Sequence, residues 1–347
     1  MPEEAILLPT GGEKTAIARQ EIPAVLDLSG APQGNRPAPR TWVNPLLAGM
    51  SIWMVYLLGK RTLGETTGLL AAGLTLSSPF FLMNSSVLLA HAWGMWLTLA
   101  FTLAWLDTLE GPPHLPGLLP PITAGLSLGV LALSRPLTAL GVAIPFGIHG
   151  AILLWRGSPV IRRRILIVGA LALFIGSLHF LWQYAVTGDP LINPYTLWWE
   201  YDRLGFGPGH GVRESGHSLK QALLNTRHSL NAGLSDLFGW GKFSWIFLPF
   251  GLWAVRRERR LWPAIAVFPV LVLIYAAYWV GAWLFGPRYY YEGLPGLTLL
   301  TSAGIVWLAG RPRSARRKAR ALALTAVVAL LVSANALWYL PARLGPM

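Results

Sequence analysis

Two arginines stand out in this 347-residue chain, because each interrupts long apolar sequence: Arg135, in Ser134-Arg135-Pro136, and Arg288, in Gly286-Pro287-Arg288-Tyr289-Tyr290-Tyr291-Glu292. A guanidinium keeps its charge and offers a planar fork of donors that matches phosphate oxygens, so both are candidates for holding an anion. The plainer alternatives are snorkelling at a membrane interface and, for Arg288, an i,i+4 pair with Glu292. Five carboxylates, Asp189, Glu200, Asp202, Glu214 and Asp236, lie in the polar stretch 187–241. A carboxylate within hydrogen-bond reach of a hydroxyl can act as a general base. Asp189, where an apolar run ends in Thr187-Gly188-Asp189-Pro190, is the candidate for that role, although the same tetrapeptide is ordinary turn sequence.

His210 and His217 sit seven residues apart, with His228 further on. That spacing matches no HxxxH or HExxH pattern, so no metal ligands are assigned. Nothing in the residues requires a cofactor, and dependence on a divalent metal stays open. His91 and His179 fall inside apolar runs, where a histidine is either a hydrogen-bonded helix residue or a polar group facing a cleft. Ionisable groups at membrane depth are costly and mark function. The expected cleft lining is therefore His91, Tyr289, Tyr290, Glu292, Asp202 and His217. Trp198, Trp199, Tyr201 and the tyrosine triplet 289–291 fall at expected membrane interfaces, where rings form belts or stack on sugar faces.

These groups have to be positioned by an apolar scaffold. Fifty-four per cent of residues are hydrophobic, only 12% are charged, and 17 are Trp. Such a composition lies outside the soluble globular class and defines a polytopic membrane protein. Zero cysteines exclude disulfides and thiolate metal sites without fixing the compartment. The net charge of +13 raises the question of nucleic acid. Sixteen of the 28 Lys and Arg, however, fall in four short clusters between apolar runs: 60–61, 156–164, 256–260 and 311–320. That is the positive-inside pattern of a bilayer protein, and no basic soluble domain or stacking platform accompanies it, so nucleic acid is excluded as a partner.

Uncharged runs of about 17 to 22 residues recur, near the ~20 that cross a bilayer as a helix. Ten are placed, at 42–59, 66–83, 87–106, 118–134, 137–155, 165–186, 241–255, 261–283, 290–309 and 321–340. The fold class is all-α, a transmembrane helix bundle over 41–347 with one long external loop at 187–241. Strands are excluded, because lipid leaves open sheet edges without partners and the runs lack the alternation of a barrel. With the first run directed inward, every basic cluster lands in the cytoplasm, and His91, Arg135, His179, Arg288 and the long loop share the outer side. Residues 1–40 carry no helical or strand period and read as a disordered tail, with no signal peptide. Exporting that tail is awkward, and a further helix upstream would explain the parity more naturally.

Several stretches carry a family resemblance: Asn44-Pro45-Leu46-Leu47, Val55-Tyr56-Leu57-Leu58-Gly59-Lys60-Arg61, Leu76-Ser77-Ser78-Pro79-Phe80-Phe81-Leu82, and Gly129 to Pro136 ending in Ser134-Arg135-Pro136. With Thr187-Gly188-Asp189-Pro190, Leu237-Phe238-Gly239-Trp240 and Gly286-Pro287-Arg288-Tyr289-Tyr290, they resemble the GT-C type of integral-membrane glycosyltransferase. These are enzymes of the glycosyltransferase family 39 kind, related to the protein O-mannosyltransferases and the lipid A aminoarabinose transferase. The resemblance covers roughly 42–340, in short motifs.

The resemblance implies a hexosyltransferase-type enzyme of the cell envelope, multi-pass in the cytoplasmic (plasma) membrane, with its active face external. Its partners are the lipid bilayer and a polyprenyl-phosphate sugar donor, and it passes the sugar to an acceptor outside. Arg135 and Arg288 then hold the donor phosphate. The family also has an upstream helix and a first external loop bearing the acidic catalytic residue. Residues 1–40 show neither, so the chain reads as a truncated copy or a differently equipped one. The alternatives are a transporter or flippase of lipid-linked saccharide, for which no convincing repeat is seen, and a catalytically inactive membrane protein.

Overall fold

The computed structural model describes residues 42–87, 89–111, 117–282, 285–310 and 315–345; the tail expected at 1–40 lies outside them. Val43 to Met347 form one compact unit. Its helices, in chain order, are α1 (Val43–Leu63), α2 (Glu65–Ser77), α3 (Pro79–Ser86), α4 (His91–Glu110), α5 (Leu119–Ser134), α6 (Pro136–Arg156), α7 (Pro159–Thr187), α8 (Leu219–Asp236), α9 (Leu248–Val255), α10 (Trp262–Tyr275), α11 (Leu294–Ala309), α12 (Ala315–Ala334) and α13 (Leu340–Leu344). The β pairing among the described residues is two isolated bridges, Leu204 with Tyr278 and Gly207 with His217. The expected helical membrane class is therefore the observed one.

Prolines and capping hydroxyls set most boundaries. Ser78 and Ser158 accept from the backbone N–H three residues on, each with a proline at the first helical position. Proline suits that position because its missing N–H would have no intrahelical partner there. Pro79 bends the single run expected at 66–83 into α2 and α3, which meet at 59°. Pro136 excludes Arg135 from the helical region (φ −146, ψ 74), so α5 stops and α6 starts at that residue. At the far end of α7, Gly188 takes φ 78, a left-handed cap that a side chain would disfavour.

Among the described residues, four helices or helical stretches are long and apolar enough to cross a bilayer, Pro136–Arg156, Pro159–Thr187, Arg288–Ala309 and Lys318–Leu344, or five with the bent pair α2–α3. α5 packs along α7, α4 along α5, α9 along α11, and α6 along α10. The core runs through Phe101, Leu131, Val142, Leu271 and Leu299. α7 presents Leu166, Leu173 and Phe174 outward, as a lipid-facing helix does.

Three segments differ from expectation in detail. Within 187–241 the chain forms the 18-residue helix α8, capped by Ser218 Oγ. The run at 241–255 contains a 3₁₀ turn, Gly241–Trp245, and the eight-residue α9. The run at 261–283 stays helical only to Tyr275. The physical reason is common to all three. Hydropathy averages over a window, whereas Gly, Pro and side chains that bind backbone decide where a helix stops.

At one end of the bundle two basic clusters meet carboxylates and a third meets a backbone carbonyl. Arg61 binds Asp107 (2.5 Å) and Glu110 (2.7 Å), Arg260 binds Glu110 (2.9 Å), and Arg164 donates to the Thr108 carbonyl (3.0 Å). His91 starts α4 at the other end, so the basic clusters and the candidate site are separated by the length of that helix. Partial burial pushes the Glu110 carboxyl up, but hydrogen bonds and charge from Arg61 and Arg260 outweigh it and hold the group below its ordinary range. A depressed carboxylate stabilises the fold above its unfolded pKa and loses that contribution as pH falls through the folded one. The melting temperature in detergent should therefore fall on acidification below about pH 4, and Glu110→Gln should lose less over the same interval. Parallel acid profiles would contradict the assignment.

Candidate functional site

Opposite the basic end, Arg135 Nη1 donates to Glu292 Oε1. The arginine stands at the α5–α6 corner that Pro136 creates, and the glutamate on the 3₁₀ helix Arg288–Gly293 that leads into α11. The Glu292 side chain is 0% exposed and that of Arg135 13%. A carboxylate so deeply buried is tolerable only when paired. Gly94 of α4 lies against the pair: a Cβ there would overlap Glu292 Oε1 and sit 3.1 Å from Arg135 Nη1. Glu292 Oε2 and His91 Nδ1 are buried beside it with no hydrogen-bond partner among the described residues.

A 3₁₀ helix has three residues per turn, so consecutive side chains leave in three directions. That geometry splits the tyrosine triplet. Tyr289 stacks on Tyr275 (4.8 Å between centroids, 3° between planes). Tyr290 is buried against Phe268 and Tyr275. Tyr291 is buried edge-on to His91 and bonds Ser85 Oγ at 3.0 Å. The same geometry takes Arg288 away from Glu292, so the α-helical i,i+4 pairing does not form and Glu292 takes Arg135 instead.

Arg288 faces a cavity of about 1200 Å³ whose polar lining includes Ser134, Gln183, Asn193, Asp202 and Tyr289. Among the described residues no carboxylate lies within ion-pair distance of Arg288. Its guanidinium instead lies 5.4 Å from the Tyr289 ring centre. The loop over the cavity is stitched to the chain after α10. Gly205 N–H donates to the Ala277 carbonyl (2.9 Å), His217 Nε2 meets the Ala276 carbonyl (3.0 Å), and Asn225 Nδ2 donates to the Trp279 carbonyl (2.9 Å). Asp202 Oδ1 accepts from both Tyr278 OH (2.8 Å) and Trp279 Nε1 (2.9 Å).

A second space, about 750 Å³ and almost wholly apolar, adjoins the first along α5, α6 and α7, with Leu140, Phe146, Leu173 and Phe180 in its lining. Pro136 and His179 line both. His179 is fixed by Nδ1 against the Leu133 carbonyl at 3.2 Å. An amphiphile with an anionic head fits this pair of spaces: the head beside Arg288, the chain in the apolar groove.

Of the residues singled out from sequence, Arg288, Tyr289 and Asp202 line the cavity. Arg135, Glu292 and His91 gather behind it, Tyr290 turns into the core, and His217 is buried against Phe206. Asp189 sits in an exposed turn, its Oδ1 accepting from Leu191 N–H at 2.8 Å, outside the lining. Gln183, Asn193 and Tyr278 are lining residues that sequence reasoning passed over. Tyr278 carried no sequence signal, because it falls inside the apolar run expected at 261–283. No group of three His, Cys, Asp or Glu side chains is placed to hold a metal among the described residues.

The helix bundle that carries this arginine-bearing cavity has an ArnT-like, GT-C-like fold. The chain matches two crystal structures of ArnT from Cupriavidus metallidurans. One is bound to undecaprenyl phosphate (TM-score 0.54, 84% of this chain and 49% of that one), the other is in the apo state (TM-score 0.56, 83% and 48%), both at 14% identity. The chain thus spans about half the length of those structures. No protein-family model and no curated protein matches it.

Removing one partner of the buried pair leaves the other charge uncompensated, a loss of about 3–5 kcal/mol. Glu292→Ala should therefore lower thermal stability in detergent strongly. Arg135→Met combined with Glu292→Leu should be markedly milder than Glu292→Ala alone. A double variant at least as unstable would show that the pair contributes more than charge compensation.

Proposed function

We propose that this protein binds a polyprenyl-phosphate-linked sugar and transfers the sugar to a hydroxyl acceptor at the external face of the cytoplasmic membrane. The observation that carries the reading is the junction of the two spaces. An arginine without an ion-pair partner among the described residues faces a polar cavity, and that cavity shares His179 and Pro136 with a lipid-side apolar groove. The fold of ArnT, one structure of which holds undecaprenyl phosphate, supports the same ligand class.

In this reading Arg288 holds the donor phosphate and stabilises the charge that develops on it as the glycosidic bond breaks. Arg135 stands behind it, its own charge balanced by Glu292, and anchors the segment that carries Arg288. Tyr289 lines the cavity on the ligand side, and His91 and Tyr290 pack behind it in the bundle. Positive-inside parity of the basic clusters supports a cavity on the outer side, where the proposed donor would present its sugar.

Hydrogen bonds to a charged group contribute about 1.5–3 kcal/mol, which corresponds to roughly 10–100-fold in affinity. Arg288→Ala should weaken binding of undecaprenyl phosphate to the protein in lipid nanodiscs by that factor, measured by native mass spectrometry. Unchanged binding in Arg288→Ala would remove the reading.

A further inference from the structure

Asp202 is held in an unusual way for a loop carboxylate. Its Oδ1 accepts two hydrogen bonds, from Tyr278 OH at 2.8 Å and Trp279 Nε1 at 2.9 Å, and its Oδ2 takes none from the described residues. The side chain lines the same cavity as Arg288. Two donors on one oxygen fix the orientation of the carboxylate and leave the other oxygen for a ligand. The anchoring is itself supported: Gly205 and Leu204 pair with the strand-like stretch 277–278, and Tyr278 packs edge-on to Tyr289 (5.6 Å), next to Arg288 in sequence. A carboxylate needed only to close the loop would not have to face the cavity, because His217 and Asn225 already tie the loop to the same segment.

We infer that Asp202 is the catalytic base of the acceptor subsite: Oδ2 accepts the hydroxyl of a saccharide or other polyol acceptor and removes its proton. The inference rests on the transferase reading above. In the step, the acceptor O–H proton passes to Asp202 Oδ2 and the freed oxygen pair forms the new bond to the anomeric carbon. The bond from that carbon to the phosphate oxygen breaks, and its electron pair stays on the phosphate, beside Arg288. Tyr278 and Tyr289 supply aromatic walls to the cavity, of the kind that stack on sugar faces. The sequence offered Asp189 as the base, but Asp189 uses its carboxylate in an exposed turn.

The test uses the full chain in liposomes with undecaprenyl-phosphate-linked hexose, hexosamine and aminopentose. Donor consumption is measured, so that any acceptor, water included, is counted. Asp202→Asn keeps an amide oxygen for Tyr278 and Trp279 and so preserves the anchor while removing the base. It should consume donor about 100-fold or more slowly, bind undecaprenyl phosphate within about twofold of the wild type, and lose the acid limb of the wild-type pH profile. The other titratable groups facing this space, His179, Tyr195, Tyr278, Tyr289 and Arg288, are unchanged in the variant. Asp202→Glu should recover part of the rate. Consumption by Asp202→Asn at the wild-type rate, an unaltered pH profile, or a wild-type protein that binds undecaprenyl phosphate yet consumes no donor would each overturn the assignment. A wild-type protein that fails to bind undecaprenyl phosphate would instead overturn the lipid-phosphate reading beneath it.

Discussion

The buried pair of Arg135 and Glu292 is the constraint on which the candidate site depends. It joins the corner between α5 and α6 to the short 3₁₀ helix that precedes α11, with Gly94 of α4 packed against it. Neither charge is acceptable at that depth without the other. The pair therefore fixes where the Arg288 segment leaves the bundle. Because Glu292 is committed to Arg135, Arg288 is left to the cavity. A single substitution of Glu292 for a neutral residue would change both the stability of the corner and the electrostatics of the space in front of it.

That space has a clear division of labour. Its lipid side is apolar and runs along α5, α6 and α7, and its solvent side carries one guanidinium, one oriented carboxylate and several rings. Arg288 and Asp202 come from segments 86 residues apart in number, and the tyrosines after α10 and at the start of the Arg288 helix join them. Tyr278 is bonded to the carboxylate and packed on Tyr289, whose own ring lies against Arg288. A guanidinium and a carboxylate lining one cavity are the two groups that the proposed transfer from a phosphate leaving group to a hydroxyl would use. The tyrosine contacts make the positions of the two groups interdependent.

Much of this was legible in the sequence, and the exceptions have physical causes. The apolar runs and their flanking basic clusters marked the helices because lipid enforces both hydropathy and backbone closure. Ser134-Arg135-Pro136 announced a helix break beside a charge, and the structure has one. What hydropathy could not show was helix continuity: α8 lies inside the expected loop because Ser218 caps it and its amphipathic face packs, and α10 ends at Tyr275 although the apolar run continues to residue 283. Nor could spacing show that the triplet at 289–291 forms a 3₁₀ turn. That one local choice sends Tyr290 and Tyr291 inward, Tyr289 outward, and separates Arg288 from Glu292. In sequence Asp189 was the candidate base and Asp202 an expected cleft-lining residue, and the donors that orient Asp202, Tyr278 and Trp279, lie more than seventy residues on.

The central claim is that one amphiphile occupies both spaces, with its phosphate at Arg288 and its chain along α6 and α7. Photo-crosslinking answers this most directly, using undecaprenyl phosphate with a diazirine in its isoprenoid chain, the protein in native lipid, and peptide mapping by mass spectrometry. The account predicts adducts on the groove between Leu140 and Phe180, competed away by unlabelled undecaprenyl phosphate but not by undecaprenol. Adducts spread over the whole lipid-facing surface, or equal competition by the alcohol, would contradict it.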